Sequence, residues 1–176
     1  YKINYSPVFS LSNRQTLTTS VASSPDGLFV HPNGAYLYTG SAANPGYAFA
    51  FSINGGTGDL TEIDAKNLGV DSTGGSGIVT DATGSHLYTT ALGANRLYGF
   101  SIGSDGRLTS LSTPFWATGA GPNDCRIQSL GKIVVSADRS AKTVTVFFRD
   151  LGTGLLTSQG SFSLGTDAPD IIGMTY

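Results

Sequence analysis

A Gly-x-Leu-Thr motif recurs along this chain at a constant spacing. It stands at Gly58–Thr61, Gly106–Thr109 and Gly154–Thr157, with successive leucines 48 residues apart, and a weaker copy occupies Gln15–Thr18. A period of about 20 to 50 residues is typical of repeat architectures, in which each unit buries its apolar surface against its neighbours. The chain is therefore predicted to consist of several copies of one small unit.

Two further elements repeat with the same period. A Phe-Ser-Ile type segment precedes each copy of the motif, and a segment ending in Leu-Tyr-Thr precedes that one in turn. The copies of the first are Phe9–Ser12, Phe51–Asn54, Phe100–Gly103 and the looser Phe148–Leu151; those of the second are Asn33–Thr39, Thr83–Thr89 and the decayed Leu130–Ser136. Four copies of one element imply four related units.

Each complete unit contains four short runs of alternating, β-branched or aromatic residues, separated by Gly, Asn or Asp turns. The predicted strands span 27–31, 36–40, 47–53 and 60–66, then 77–81, 87–90, 96–102 and 108–116, then 124–128, 132–137, 143–148 and 156–162. A four-stranded sheet has two faces to bury, and like sheets stacked around an axis cover both while leaving only short edges. The predicted fold class is all-β, a β-propeller of four-stranded antiparallel blades.

The whole chain, residues 1–176, is predicted to be one propeller segment of about three and three-quarter blades. The blades are predicted at about 1–22 (partial), 25–68, 74–118, 121–165 and 166–176 (partial). Tyr1–Ser20 would supply the last two strands of one blade, and Ala168–Tyr176 the first strand of another. Three arrangements stay open: a closed four-bladed ring short of one strand, a fragment of a longer chain, or two half-rings that close each other.

Composition excludes some partners. Charged residues make up only 12% of the chain, and ten Lys and Arg oppose twelve Asp and Glu. Without a basic run, nucleic acid is not an expected partner. No stretch reaches the roughly 18 to 20 apolar residues that span a bilayer, so no membrane partner is expected. Low charge, abundant Ser and Thr, and the glycosylation pattern Asn4-Tyr5-Ser6 favour an extracellular, secreted protein, with the cytoplasm as the alternative.

Few groups in the chain suit metal or nucleophilic chemistry. Cys125 is the single cysteine, which rules out an internal disulfide and predicts a small buried hydrophobe. His31 and His86 occupy different phases of the repeat. We expect His31 to be a turn residue and His86 to face outward in the slot that Tyr36 holds one unit earlier. No metal site and no cofactor are predicted.

Four charged residues cluster in the third complete unit and form the candidate site: Asp124, Arg126, Asp138 and Arg139. They lie at the start of its first strand and the end of its second, which in a propeller can approach the mouth of the central channel. The alternative is a set of surface ion pairs of little energetic weight.

The run His31-Pro32-Asn33-Gly34, followed by Tyr36-Leu37-Tyr38, Phe51-Ser52-Ile53 and the first Gly-x-Leu-Thr motif, resembles the repeat of the seven-bladed lactonase propellers. That family includes bacterial 6-phosphogluconolactonase and the fungal carboxymuconate cyclases. The resemblance covers nearly the whole chain and implies a ring of about twice this length. It also implies a polar site at one mouth of the channel, where Arg, His and Glu bind an acidic substrate and move protons in lactone chemistry.

The most specific part of this resemblance is also where the chain departs from the family. Thr90–Leu97 and Gly119–Pro122 follow the patterns Asp-Leu-Gly-x-Asp and Gly-x-Gly-Pro-Arg-His, but Ala91 replaces the Asp and Asn123-Asp124 replaces Arg-His. Ala137-Asp138 stands where the family often has Asn-Glu. These changes remove a base that titrates near neutral pH and a bidentate clamp for a carboxylate.

The functional expectation is a lactonase-like or carboxymuconate cyclase-like propeller that lacks the family's usual catalytic residues in these blades. Any catalysis would be of the lactonase or cycloisomerase type. Two alternatives stay open. One is a non-enzymatic binding module for a glycan or a protein partner. The other is a half-propeller that forms an oligomer with a second half, from the same or a different chain. A small acidic or sugar-like ligand fits each version.

Overall fold

The structure is a computed structural model that describes residues 2–6, 8–12, 15–21, 24–69, 71–73 and 77–166. Its fourteen strands are β1 (Lys2–Ser6), β2 (Val8–Ser12), β3 (Pro25–Val30), β4 (Tyr36–Ser41), β5 (Tyr47–Ile53), β6 (Leu60–Asn67), β7 (Ile78–Thr80), β8 (His86–Ala91), β9 (Arg96–Ile102), β10 (Leu108–Ala117), β11 (Pro122–Ile127), β12 (Ile133–Asp138), β13 (Thr143–Arg149) and β14 (Leu156–Ser163). Within these residues, no helix has the length and hydrophobicity needed to cross a bilayer.

Twelve of the strands form three four-stranded antiparallel sheets, each in simple sequence order. We call them blade 1 (β3–β6), blade 2 (β7–β10) and blade 3 (β11–β14). Local sequence explains the meanders, because apolar alternation ends at tight turns that contain Gly, Asn or Asp. The predicted all-β fold of four-stranded propeller blades is confirmed for these three sheets.

Both ends of the chain were predicted to supply strands of incomplete blades, and only the N-terminal strands lie within the described residues. An antiparallel hairpin joins β1 to β2, with Ile3 opposite Leu11. Residues 15–19, which include the weak copy of the motif, form no strand. Instead, the Gln15 side chain accepts from Leu60 N–H at 2.7 Å and donates to its carbonyl at 2.8 Å, on the outer strand of blade 1. The strand predicted within Ala168–Tyr176 lies outside the described residues.

Strand pairing corrects one repeat alignment. Phe51 lies opposite Leu37 and Phe100 opposite Leu87, and the residue in the same register in blade 3 is Phe147, opposite Val134. Phe147 is fully buried like its two counterparts, whereas Phe148 is exposed. The sequence alignment placed Phe148 in this position, one residue too late. In a strand, a slip of one residue moves a side chain to the opposite face.

The first strand of each blade is the innermost one. β7 contacts both β3 and β11, and β11 also contacts β8, so the three sheets stand side by side around one edge. Apolar residues fill the two gaps between the sheets. Tyr38 and Ala50 of blade 1 pack on Ile78 and Phe100 of blade 2. Tyr88 of blade 2 joins a second core with residues of blade 3, namely Cys125, Val134, Phe147 and Leu156.

Candidate functional site

The most densely connected polar group lies between blades 2 and 3. We call Asp81, His86, Tyr88 and Arg149 the inter-blade cluster; all four side chains are buried. Arg149 donates from Nε to Tyr88 Oη at 3.0 Å, from Nη1 to the Gly131 carbonyl at 3.1 Å, and from Nη2 to Asp81 Oδ2. Its guanidinium therefore joins two blades through nearly all of its donors.

The protonation of His86 follows from its partners. Arg149 Nη2 lies 2.8 Å from His86 Nδ1, and a guanidinium can only donate. Nδ1 must therefore accept and carries no proton. The 3.5 Å separation between Nδ1 and Asp81 Oδ2 is then a proximity of two acceptors rather than a hydrogen bond. His86 is a neutral structural acceptor in this cluster.

Burial and interactions with neighbouring groups have opposite effects on the pKa values of Asp81 and Tyr88. Burial alone would raise the pKa of Asp81, but the backbone N–H of His86, the Arg149 guanidinium and the Thr83 hydroxyl stabilise the carboxylate, and the net effect lowers that pKa. Burial raises the pKa of Tyr88 to about 12, against the opposing effect of Arg149. At neutral pH the cluster therefore contains an Asp carboxylate, an Arg cation and a neutral phenol.

The other imidazole, that of His31, joins blade 1 to blade 2 in a similar way. His31 Nδ1 accepts from Asn33 N–H at 3.1 Å, so Nε2 carries the proton and donates to the Gly84 carbonyl of blade 2 at 3.0 Å. The prediction of a turn residue thus captures only part of the role of His31.

The expectation that His86 faces outward is wrong, because the slot shared with Tyr36 points at the next blade, where Tyr36 contacts Gly106 and His86 contacts Gly154.

Of the candidate site residues, Asp124 and Arg126 lie together on the innermost strand of blade 3. Arg126 Nη1 donates to Asp124 Oδ1 at 2.5 Å and to the Cys125 carbonyl at 2.8 Å. The Arg126 side chain is one-third exposed. It lines an open cleft of about 280 Å³ that includes Phe29 of blade 1 and Thr80 of blade 2. Because all three innermost strands contribute, this cleft lies at the inner edge of the three sheets, where a propeller has its central channel, and we call it the channel cleft.

Asp138 and Arg139 have different surroundings. Asp138 is fully buried and its carboxylate accepts from four groups of its own blade and the preceding connection: Gly119 N–H at 3.0 Å, Thr143 Oγ1 at 3.1 Å, Thr145 Oγ1 at 2.5 Å, and Ser136 Oγ. These bonds hold β12 and β13 to the segment that enters the blade. Arg139 is exposed, and its backbone N–H donates to the Gly121 carbonyl at 2.9 Å.

Other groups offer little chemistry. Among the described residues, no three His, Cys, Asp or Glu side chains are grouped so as to hold a metal ion. Cys125 is fully buried, as predicted, and burial raises the pKa of its thiol. Glu62, the one glutamate in the sequence, lies on the outer strand of blade 1, where it accepts from the backbone and hydroxyl of Ser20.

Sequence reasoning missed the inter-blade cluster. Its other three members are 61, 63 and 68 residues from Arg149 in the chain, so no local pattern joins them. One signal existed: the strand register aligns Arg149 with Ile53 and Ile102, apolar residues in the other two blades. A charged residue in an apolar position of a repeat indicates a buried partner.

Comparisons with known proteins agree with a fold of four-stranded propeller blades. A family model described as "Lactonase, 7-bladed beta-propeller" matches residues 65–169. A candidate 6-phosphogluconolactonase of Bacteroides fragilis is 27% identical, with a TM-score of 0.75 over 86% of this chain and 42% of that one. One from Bacteroides uniformis is 24% identical, with a TM-score of 0.79 over 94% and 47%.

The periplasmic gluconolactonase of Pseudomonas aeruginosa is 21% identical, with a TM-score of 0.73 over 93% of this chain and 44% of that one. No curated protein sequence matches the chain significantly. The chain spans less than half the length of each of these three solved structures.

Proposed function

Because this chain belongs to the lactonase family of seven-bladed β-propellers, we propose that its three described blades form a ligand-binding wall of a lactonase-type channel and do not supply the acid–base groups of lactone chemistry. Any catalytic groups then come from outside these blades. The substrate class is that of the relatives, a sugar lactone or its acid.

One observation carries this proposal: both imidazoles of the chain are used between blades. His31 and His86 are buried, and each has a ring nitrogen bonded to a group of the next blade. Glu62, the single glutamate, bonds to Ser20 at the outer edge of blade 1. Hydrolysis of a lactone near neutral pH requires a base that can reach the attacking water. The side chains best suited to that task are therefore already engaged in contacts between blades or at the outer edge of blade 1.

The channel cleft suits binding better than proton transfer. The Arg126 guanidinium is partly exposed, and Thr80 and Gln128 line the same cleft. An arginine with free donors can bind a phosphate or carboxylate, and hydroxyl and amide groups can bind sugar hydroxyls. Asp124 partly neutralises Arg126, which favours a weakly bound anion.

The test has an activity arm and a binding arm. The purified chain should hydrolyse 6-phosphogluconolactone and carboxymuconolactone no faster than buffer does. In calorimetry, the stable acid 6-phosphogluconate should bind, and Arg126→Gln should weaken that binding about tenfold, the order of one charge-assisted contact. Arg139→Gln removes an exposed charge of the same blade and should change nothing.

Turnover above the buffer rate that Asp124→Asn abolishes would show that these blades do carry catalytic groups. Equal binding by the Arg126 and Arg139 variants would overturn the assignment of the cleft.

A further inference from the structure

The sequence contains two Asn-Gly pairs, and both lie in turns of blade 1. Asn33-Gly34 lies between β3 and β4, and Asn54-Gly55 lies between β5 and β6. All four residues are exposed. Because glycine has no side chain to shield its backbone nitrogen, that nitrogen can attack the side-chain amide carbon of the preceding asparagine. The two turns differ in whether they leave this nitrogen free.

The first turn occupies the nitrogen. Gly34 N–H donates to the His31 carbonyl at 2.8 Å, and Asn33 N–H donates to His31 Nδ1 at 3.1 Å. The same imidazole is bonded to the Gly84 carbonyl of blade 2. Among the described residues, Asn33 Oδ1 accepts from one backbone group, Ala35 N–H, at 2.9 Å. Attack by the Gly34 nitrogen therefore requires breaking a hydrogen bond in a turn that blade 2 holds in place.

The second turn leaves the nitrogen free and polarises the amide. Within the described part of the chain, Gly55 N–H has no hydrogen-bond acceptor. Asn54 Oδ1 accepts from Gly56 N–H at 2.9 Å and from Thr57 N–H at 3.1 Å. Negative charge develops on this oxygen when a nitrogen attacks the amide carbon, and two backbone donors at these distances stabilise that charge. The second pair is thus arranged for the attack that the first pair resists.

Blade 3 contains the same turn with an aspartate in place of Asn54. Asp150 Oδ1 accepts from Gly152 N–H at 3.0 Å and from Thr153 N–H at 2.7 Å. The hydrogen bonds from the backbone and hydroxyl of Thr153 lower the pKa of Asp150, so this turn stabilises negative charge at the acceptor oxygen. A carboxylate at position 54 therefore fits the turn as well as the amide does.

The exposure of Asn54 and Gly55 does not depend on which blade precedes blade 1. Blade 2 precedes blade 3 and buries Gly154, yet Asp150 and Leu151 of the same turn are exposed. A preceding blade that packs in this way would cover Gly58, the counterpart of Gly154, and leave Asn54 and Gly55 accessible to water. On the other side of the turn, blade 2 is already present.

We propose that Asn54 is a site of spontaneous deamidation set up by its turn. The Gly55 nitrogen forms a bond to Asn54 Cγ, and its proton leaves with the amide group as ammonia, which closes a succinimide ring. Water then opens the ring. Cleavage of the new Cγ–N bond gives aspartate, and cleavage of the bond from the backbone carbonyl to the nitrogen gives isoaspartate. The overall reaction is the hydrolysis of one side-chain amide, and either product adds a negative charge.

The two products have different consequences for the fold. Aspartate keeps the main chain and should keep the turn, as Asp150 does in blade 3. Isoaspartate inserts Cβ into the main chain. This change displaces the Asn54 carbonyl, which accepts from Gly58 N–H at 2.6 Å while Asn54 N–H donates to the Asp59 carbonyl at 2.8 Å. The isoaspartate form should therefore lose the connection that fixes β6 on β5.

Peptide mapping of the folded chain after incubation at mildly alkaline pH tests the proposal. Chymotrypsin suits the digestion, because trypsin leaves both pairs in one peptide, 15–66, whereas cleavage after Tyr36 and Phe51 separates them. Mass spectrometry should show conversion of residue 54 about five to ten times faster than that of residue 33, the factor that corresponds to one hydrogen bond of about 1 kcal/mol. In urea, where neither turn persists, the two rates should approach each other.

Two variants separate the chemistry from folding. Gly55→Leu reproduces the Leu151 of the matching turn, and its Cβ would meet no described atom within 4 Å. This variant should fold as wild type does and convert several times more slowly, because the side chain shields the nitrogen. Asn54→Asp supplies the first product directly and should unfold in urea at the wild-type midpoint.

Three results would overturn the proposal. The first is conversion of Asn33 as fast as that of Asn54 in the folded chain. The second is a rate ratio in urea as large as in the folded chain, which would assign the difference to the neighbouring sequence rather than to the turns. The third is a wild-type rate in folded Gly55→Leu. The channel proposal does not depend on any of these outcomes.

Discussion

Replacing Arg149 with methionine would leave the buried carboxylate of Asp81 without its cationic partner. The two side chains are 2% and 4% exposed, and Arg149 also bonds to Tyr88 and the Gly131 carbonyl. Methionine has a similar length but no donor. The variant therefore keeps most of the packing and loses the charge and its hydrogen bonds.

The expected cost is large because of burial. Removing one partner of a buried ion pair costs about 3 to 5 kcal/mol, a considerable part of a total stability of about 5 to 15 kcal/mol. A matched control is Arg126→Met, which removes the same group from the partly exposed pair with Asp124 and should cost about 1 kcal/mol or less. The difference between the two variants isolates the effect of burial.

Urea unfolding followed by Trp116 fluorescence suits this measurement, because Trp116 packs at the same blade boundary, with its ring centroid 6.4 Å from that of Tyr88. The double variant Asp81→Asn, Arg149→Met should be less destabilised than the sum of the single variants, since no uncompensated charge is left. Equal costs for Arg149→Met and Arg126→Met, or strict additivity in the double variant, would refute this account.

The pH dependence has a definite sign. The pKa of Asp81 is lowered in the folded protein, so its contribution is fully present above the ordinary carboxyl pKa and is lost as the pH falls through the lowered folded value. Wild type should therefore lose stability below about pH 4. Arg149→Met has already lost the interaction, so the gap between the two proteins should narrow in acid. A gap that stays constant from neutral pH to acid would contradict the pKa assignment.

Three further outcomes can be checked in the same unfolding assay or with a thiol reagent. Gly154→Ala and Gly58→Ala both place a side chain at φ above +70°, but only at Gly154 would the Cβ meet a ring of the preceding blade. Gly154→Ala should therefore lower the free energy of unfolding clearly more than the roughly 1 kcal/mol expected for Gly58→Ala. Equal losses would argue against the packing between blades. Phe147→Ala should cost about 3 to 5 kcal/mol and Phe148→Ala less than about 1, and the reverse order would restore the sequence alignment. Cys125 should react with iodoacetamide only after unfolding, because burial raises the pKa of its thiol, and fast labelling of the folded chain would refute its burial.

Local patterns predicted most strands to within two residues. The predicted ranges 47–53 and 96–102 coincide with β5 and β9, because side-chain alternation and glycine turns are properties of neighbouring residues. The two strands expected within Tyr1–Ser20 are β1 and β2, and the weak motif copy at Gln15–Thr18 lies outside both. There the segment bonds to blade 1 through a side chain, which a strand pattern does not reveal.

The candidate site was predicted less completely. Asp124 and Arg126 do form an ion pair, since they are two residues apart on one strand and project to the same side, and Arg126 lines the cleft. The sequence grouped Asp138 with them because it ends the second strand of the same unit, but the structure surrounds its carboxylate with hydroxyl donors of blade 3 and the backbone N–H of Gly119. Exposure and hydrogen bonding, not position in the repeat, separate a channel residue from a structural one.

By itself, the sequence determined the repeat, the four-stranded unit and the membership of a propeller family, because each rests on spacings that stay within one unit. Only the tertiary structure decided how the two imidazoles are used, which phenylalanine of blade 3 is buried, and that Arg149 binds Asp81. Those outcomes depend on contacts between residues more than 50 positions apart and on a strand register in which one residue changes the face. Packing between blades, rather than the pattern within a blade, decides which polar side chains are buried and what they bind.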